Sequence, residues 1–167
     1  NLFGYTGVAS LVCAKAGAKV THVDGSRPAI SWARKNQELS GLDHLPIRWI
    51  CDDVLKFVGR EVKRGVKYDG VIMDPPVFGH GPKGEQWKFN ESLPTLINLC
   101  KQILSENPLF VLINAYAVST SHVTLANVLA DLMTGFSGQI DSGELTIKQT
   151  GSARTLSTGI WGRWYSR

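Results

Sequence analysis

A carboxylate followed by two prolines closes an apolar stretch near the middle of the chain, and this feature restricts the fold most. The stretch, residues 70–73, reads Gly-Val-Ile-Met, and the corner after it consists of Asp74, Pro75, Pro76, Val77 and Phe78. A short apolar run that ends in prolines is typical of a buried strand, because proline cannot continue a ladder. Ligands of α/β sheets bind at the carboxyl ends of strands, so this corner is a candidate catalytic site.

The chemistry of the corner suits a planar substrate that carries a nitrogen. The Asp74 carboxylate and the Pro75 carbonyl can accept hydrogen bonds from an amine, and Phe78 can stack on a ring. The alternative is a Pro-Pro turn that does no more than end a strand. These five residues alone fit both interpretations, so the surrounding sequence has to decide between them.

A glycine-containing turn stands at the beginning of the chain. Residues 1–7 predict the end of a strand that runs through the turn into a helix over residues 8–16. Gly4 and Gly7 allow the backbone to approach a ligand, next to the positive N-terminal end of the helix. The spacing differs from the Gly-x-Gly-x-x-Gly of dinucleotide-binding proteins, and an ordinary strand-to-helix turn is the alternative.

Acidic residues also follow the second and third predicted strands. The second strand, residues 18–23, ends at Asp24, where a carboxylate is placed to bind the two hydroxyls of a ribose. The third, residues 47–50, is followed by Asp53, which can accept a hydrogen bond from an adenine packed against Val54. Both aspartates also precede predicted helices, so helix capping is the alternative. Three acidic strand ends in succession favour a nucleotide-like ligand.

Together these motifs resemble class I S-adenosylmethionine-dependent methyltransferases. The resemblance rests on the turn at residues 1–7, on Asp24, on the helix that follows Ser26, on Asp53 and on the Asp-Pro-Pro-Val-Phe corner. Within that superfamily the chain is most similar to the large-subunit ribosomal RNA methyltransferases, in which alanines and an asparagine precede a Gly-Leu. The match covers the first half well and the second half only by the order of its elements.

The resemblance implies S-adenosylmethionine as cofactor, S-adenosylhomocysteine as product and a role for each motif. The residues implied to contact the cofactor are Phe3, Gly4, Tyr5, Thr6, Gly7, Asp24, Gly25, Ser26, Asp53, Val54 and Asp74. The catalytic residues expected at the acceptor are Asp74, Pro75 and Phe78, with Pro76 and Phe78 against the substrate. Methyl transfer mainly needs alignment and exclusion of water, so Asp74 is expected to orient the acceptor and is the candidate proton acceptor.

The cysteines bear on which atom accepts the methyl group. Relatives that methylate carbon 5 of a pyrimidine use a cysteine, which in the similar ribosomal RNA enzymes lies just after the fifth strand. Here the fifth predicted strand, residues 109–113, is followed by residues 114–120 without a cysteine. Cys13, Cys51 and Cys100 lie where packing is the better explanation. We therefore predict methylation of a nitrogen of an RNA base, with carbon methylation as an alternative.

Residues 79–89 are predicted to form a loop beside the corner that combines aromatic residues with lysines. Aromatic rings stack on bases and lysines meet phosphates, so the loop predicts contact with RNA. The residues expected to make this contact are Lys83, Trp87 and Lys88. The alternative is that Trp87 and Phe89 anchor a lid in the apolar core, and both can hold at once.

Composition agrees with this interpretation without deciding it. The net charge of +4 slightly favours an anionic partner such as RNA. Three widely spaced cysteines and scattered histidines give no indication of a disulfide framework or a metal site. Without a long apolar stretch or a signal peptide, the default is a cytoplasmic protein with no membrane partner. Nothing in the sequence indicates the oligomeric state.

The order of the predicted elements gives an α/β fold in one domain over residues 1–167. Helices near residues 91–104 and 121–133 are followed by strands near residues 143–149 and 157–165. We expect a Rossmann-like doubly wound sheet, and the resemblance implies about seven strands, mostly parallel, with an antiparallel C-terminal strand. The first strand is represented by residues 1–3 alone, so we expect a fragment of a longer chain.

Rival functions differ in what they explain. A dinucleotide-binding oxidoreductase shares the fold and the ribose-binding acid, but it does not account for the corner at Asp74. A non-catalytic RNA-binding module does not need acids at three strand ends. Among methyltransferases, a protein or small-molecule amine or amide is the nearest alternative acceptor, because the same corner can orient it.

Overall fold

The computed structural model describes residues 1–167 as helices alternating with strands. The helices are α1 (Val8–Lys15), α2 (Arg27–Leu39), α3 (Val54–Lys63), α4 (Phe89–Ile103) and α5 (His122–Leu132). The strands are β1 (Val20–Asp24), β2 (Ile47–Cys51), β3 (Gly70–Met73), β4 (Phe78–His80), β5 (Gln86–Lys88), β6 (Phe110–Ala115), β7 (Gly138–Lys148) and β8 (Thr155–Ser166).

The main sheet is mixed, and β8 is its one strand of opposite direction. β1 pairs in parallel with β2 and β3 in parallel with β6, while β8 pairs antiparallel with both β6 and β7. Leu2 joins the two halves, because it forms parallel bridges to Val23 of β1 and to Met73 of β3. The order across the sheet is therefore β2, β1, Leu2, β3, β6, β8, β7. The predicted Rossmann-like α/β sheet with an antiparallel C-terminal strand is confirmed.

The structure has more strands than predicted, because two short strands within residues 78–88, most of which were predicted to be a loop, pair as a hairpin outside the main sheet. β4 and β5 pair antiparallel, with Gly79 opposite Trp87. Gly84, near the turn, has a φ of 85°, a conformation that glycine adopts without a steric cost. Exposed Gln86, buried Trp87 and exposed Lys88 show the period-two alternation of a strand. Three residues are too few for this alternation to be recognised in the sequence.

The core centres on β6 and the helices against it. Val111, Ile113 and Ala115 alternate along β6 and are fully buried, as are Leu129 of α5 and Leu96 of α4. This alternation is the sequence pattern that predicts a strand with one face in the core. Because β6 pairs with β3, the same core fixes the strand that leads into the Asp-Pro-Pro-Val-Phe corner.

A buried carboxylate connects α3 to its neighbours. The Glu61 side chain, 1% exposed, accepts hydrogen bonds from Arg48 at 3.1 Å, from Arg64 at 3.1 Å and from the Tyr68 hydroxyl at 2.7 Å. Burial by itself raises the pKa of Glu61, but the hydrogen bonds and the charge of Arg48 outweigh it and hold the pKa below its usual value. Glu61 therefore links β2, α3 and the segment that leads into β3.

We expect Glu61→Gln to lower the free energy of unfolding by about 2 kcal/mol near neutral pH, because charge-assisted hydrogen bonds are lost. The pKa of Glu61 is lower in the folded than in the unfolded protein. Its contribution is therefore complete above the unfolded pKa and is lost as pH falls through the folded pKa. Urea unfolding between about pH 7 and about pH 3 measures this, and the variant should approach the wild type at the acid end.

Glu106→Gln is the matched control, since Glu106 is exposed. It should leave the free energy of unfolding unchanged. A Glu61→Gln effect of equal size at both ends of the pH range would contradict the expectation.

Candidate functional site

A cleft of about 300 Å³ opens where the parallel strands of the sheet end. Residues that follow Leu2, β1, β2, β3 and β6 all reach it, together with the β4–β5 hairpin. This edge is where α/β sheets bind their ligands. The lining residues are Phe3, Tyr5, Asp24, Gly25, Ser26, Asp52, Asp53, Val54, Asp74, Pro76, Gly79, His80, Gly81 and Tyr116.

Asp24 is fixed toward the cleft by the backbone around it. Its Oδ2 accepts a hydrogen bond from the Tyr5 N–H at 2.8 Å, and its Oδ1 accepts one from the Ser26 N–H at 2.8 Å. The cap of α2 is Ser26, whose Oγ accepts from the Ala29 N–H at 3.3 Å. The alternative that Asp24 caps this helix is wrong. Each carboxylate oxygen keeps a further acceptor position for a ligand hydroxyl.

Asp53 is a helix cap that also lines the cleft, so the predicted capping is confirmed and the contact with adenine stays a prediction. It is the N-cap of α3, where its Oδ1 accepts from the Lys56 N–H at 2.9 Å, and it also lines the cleft. Buried Val54 follows as an apolar wall. Asp52, which the sequence does not single out, lines the cleft as well and forms an ion pair with Arg60. Because Asp52 is paired with Arg60, Asp53 is the carboxylate at the end of β2 that still has an oxygen free to accept from a ligand.

The corner after β3 places Asp74 on the cleft. Desolvation by the surrounding protein raises the pKa of its carboxyl above the usual value, although Asp74 is exposed in the cleft. A raised pKa makes the carboxylate a better proton acceptor. Pro76 lines the cleft too, whereas Pro75 is fully buried and lies outside the lining. Pro75 therefore ends the strand from within the core, and its predicted part in catalysis stays a prediction.

Phe78 does not line the cleft. Its ring is 53% exposed on β4 and lies edge-on to His80, with the ring centroids 4.9 Å apart. Tyr116, which follows β6 directly, is an aromatic residue that does line the cleft. It lies three residues beyond the predicted fifth strand, and the sequence alone does not show which strands are neighbours, so nothing marks it there.

Gly4, Thr6 and Gly7 also lie outside the lining, and packing explains why they are needed. A Cβ on Gly4 would overlap the ring of His22, which is fully buried. Gly7 has a φ of 88°, which disfavours any residue with a Cβ. The Thr6 carbonyl accepts a hydrogen bond from Asn36 at 2.9 Å. Contacts and backbone conformation within the chain therefore require both glycines, and their predicted approach to a ligand stays a prediction.

The hairpin residues separate into buried and exposed groups. Trp87 is 4% exposed, donates from Nε1 to the Pro76 carbonyl at 2.7 Å and packs edge-on against Phe3. Its predicted stacking on RNA is corrected, because the ring lies in the core and anchors the hairpin. Lys83 and Lys88 are exposed, and Lys88 forms an ion pair with Glu91 at 3.0 Å.

None of the three cysteines lines the cleft. Cys13 is partly buried in α1 and Cys51 partly buried at the end of β2. Burial raises the pKa of the Cys100 thiol to about 12, so it stays protonated at neutral pH. No group of three or more histidine, cysteine or acidic side chains is arranged to hold a metal ion, and no helix is long and apolar enough to cross a bilayer.

Comparisons with known proteins show what the chain is similar to. No family model matches the chain. It is 37% identical over 102 residues to "Ribosomal RNA large subunit methyltransferase I" of Aeromonas salmonicida (strain A449), which covers 60% of this chain and 23% of that protein. The crystal structure of the "SAM Dependent Methyltransferase from Agrobacterium tumefaciens" is 46% identical, with a TM-score of 0.96, over 100% of this chain and 55% of that one.

The chain resembles the S-adenosylmethionine-dependent methyltransferases. The resemblance to the large-subunit ribosomal RNA enzymes is confirmed. The chain is also 42% identical to "Ribosomal RNA large subunit methyltransferase K/L" of Syntrophotalea carbinolica over 79 residues, which make up 47% of this chain and 11% of that protein. The chain thus spans less than a quarter of the length of these curated relatives and about half of the Agrobacterium structure. The crystal structure of "SMU.776, a putative methyltransferase complexed with SAH" shares the fold at 21% identity and a TM-score of 0.78, over 98% of this chain and 44% of that one.

We expect Trp87→Phe to lower the free energy of unfolding by about 1–3 kcal/mol, because the donor to the Pro76 carbonyl is lost and the smaller ring leaves a void. Urea unfolding measures the change. Gln86→Ala, on the exposed face of the same strand, is the control and should have little effect. An unchanged stability for Trp87→Phe would mean that this ring does not anchor the hairpin.

Proposed function

We propose that this chain is an S-adenosylmethionine-dependent methyltransferase that acts on a nitrogen of a base in RNA, with ribosomal RNA as the favoured acceptor. The observation that carries the proposal is the convergence of Asp24, Asp53 and Asp74 on one cleft at the ends of neighbouring strands. The names of the relatives with 37% and 42% identity support ribosomal RNA as the acceptor. The same acceptor favours a cytoplasmic site of action.

The residues of the cleft fit S-adenosylmethionine by their chemistry. Asp24 would hold the ribose, since both of its oxygens are oriented by backbone N–H groups and can still accept from hydroxyls. Asp53 and Val54 would hold the adenine, one as acceptor for its amine and the other against the ring. Phe3 and Tyr5 line the part of the cleft proposed for the methionine. Bound there, S-adenosylmethionine supplies a methyl group on a positively charged sulfur and departs as S-adenosylhomocysteine.

Asp74 is the residue proposed to act on the acceptor. An ionised carboxylate accepts a hydrogen bond from the acceptor N–H and thereby orients the nitrogen lone pair toward the methyl carbon. After transfer the nitrogen carries an extra positive charge and releases a proton, which Asp74 is placed to take up. The raised pKa of its carboxyl favours this second step.

We expect methylation of ribosomal RNA by this protein to give no 5-methylcytosine, because no cysteine lines the cleft to attack a pyrimidine ring. Digesting the methylated RNA to nucleosides and separating them by liquid chromatography with mass detection measures the product. A product methylated on a base nitrogen is the expected result. Formation of 5-methylcytosine would contradict the assignment to nitrogen.

We expect Asp24→Ala to weaken binding of S-adenosylmethionine by at least about tenfold, since hydrogen bonds to a carboxylate are lost. Calorimetric titration of S-adenosylmethionine and, separately, of NADH measures both affinities. Asp131→Ala, an exposed aspartate on α5, is the matched control and should bind like the wild type. Binding of NADH in place of S-adenosylmethionine would support the oxidoreductase alternative and contradict the proposal.

Lys83 and Lys88 are the exposed cations of the hairpin, and we propose that they contact RNA phosphates. Replacing both by glutamate should weaken binding of a ribosomal RNA fragment by about tenfold at low salt and leave the affinity for S-adenosylmethionine unchanged. Fluorescence anisotropy measures the RNA affinity. Exposed Lys101, near the end of α4, provides the control substitution Lys101→Glu. RNA affinity equal to that of the wild type would remove these lysines from the RNA-binding surface.

A further inference from the structure

Tyr116 lines the cleft at the end of β6, although neither its residue type nor its spacing marks it in the sequence. β6 pairs in parallel with β3, with Ile113 opposite Met73, so the residues that follow the two strands emerge at the same edge of the sheet. Asp74 follows β3 directly and Tyr116 follows β6 directly. Both line the cleft, and the Tyr116 side chain is 48% exposed. A carboxylate and an aromatic ring therefore share this end of the cleft.

The backbone under Tyr116 is held from two sides. Ala117, the next residue, has a φ of 53°, a left-handed conformation that is uncommon for a residue with a Cβ. On the other side β8 passes at Gly159, where an added Cβ would lie 2.9 Å from the Ala115 carbonyl oxygen and 3.4 Å from the Tyr116 Cβ. Strained backbone of this kind persists where the surrounding structure fixes it and is common at functional sites. The base of the side chain is thus fixed while its ring remains exposed.

The other aromatic side chains near the cleft lie in different surroundings. Phe3 packs edge-on against buried Trp87, with ring centroids 4.7 Å apart. The Tyr5 backbone N–H donates to Asp24, and the Tyr5 ring, 63% exposed, lies 6.4 Å from the ring of Trp32, on the side proposed for the cofactor. Phe78 lies outside the lining, against His80. Tyr116 is the exposed ring of the lining that follows the strand paired with β3.

We propose that Tyr116, and not Phe78, is the platform on which the acceptor base of the RNA stacks beside Asp74. The inference rests on the proposed function and names the residue that binds its substrate. Stacking uses the face of the ring and leaves the edge of the base, with its amine, free to meet the Asp74 carboxylate. Tyr116 thus supplies affinity for any unstacked base, while Asp74 selects bases that carry an N–H donor.

The test measures binding of a fluorescein-labelled single-stranded oligoadenylate by anisotropy, with and without saturating S-adenosylhomocysteine. Tyr116→Ala should weaken binding by about tenfold, and Tyr116→Phe should stay within about twofold of the wild type because it keeps the ring. Phe78→Ala should have a smaller effect than Tyr116→Ala. Tyr165→Ala is the control, since Tyr165 pairs with Phe110 at the opposite edge of the sheet.

The affinity for S-adenosylhomocysteine, measured by calorimetry, separates the possible failures. It should be the same in the wild type and in all Tyr116 variants, which also shows that the variants are folded. Three results would each overturn the proposal for Tyr116. The first is that Tyr116→Ala binds the oligonucleotide as tightly as the wild type, and the second is that Phe78→Ala loses more affinity than Tyr116→Ala. The third is that the wild type does not bind the oligonucleotide. Absence of cofactor binding by the wild type would instead contradict the proposed function, and the titrations without cofactor would still test Tyr116.

Discussion

The pairing of Leu2 with its neighbours on both sides is the constraint on which the site depends. Its N–H donates to the Ile72 carbonyl at 2.8 Å, its carbonyl accepts from the Asp74 N–H at 3.4 Å, and its side chain is buried. On the β1 side the Val23 N–H donates to the Asn1 carbonyl at 2.9 Å, and the Val23 carbonyl accepts from the Gly4 N–H at 3.1 Å. Through the contacts on both sides β1 and β3 belong to one sheet, so the carboxylates at their ends face the same cleft. If Leu2 did not pair with both strands, β1–β2 and β3–β6 would be two separate parallel pairs of strands, and Asp24 and Asp74 would lie at the ends of different pairs.

The β4–β5 hairpin is held at the same edge of the sheet, where the cleft lies. Trp87 occupies the core below it and donates to the Pro76 carbonyl, so the corner and the hairpin hold each other in place. Lys56 of α3 adds an ion pair to Glu85 from the other side. Because the hairpin lines the cleft at Gly79, His80 and Gly81, packing in the core and the shape of the site are directly coupled.

Local patterns account for what the sequence predicts correctly. Apolar periodicity and the helix-start residues place the helices and the main strands, and the three acids at strand ends identify the cleft. The corrected residues depend on contacts between distant parts of the chain. The sequence does not show that Gly4 faces His22 or that Trp87 turns toward Phe3. Tyr116 was missed for the same reason, since its neighbour Asp74 lies on another strand.

A crystal structure of the protein with S-adenosylhomocysteine shows whether the cleft holds the cofactor. We expect the ligand in the cleft, with the ribose hydroxyls on Asp24, the adenine between Val54 and the Asp53 carboxylate, and the sulfur directed toward Asp74. A ligand bound elsewhere on the chain, or bound in the cleft with its ribose away from Asp24, would contradict the assignment of the cleft to S-adenosylmethionine.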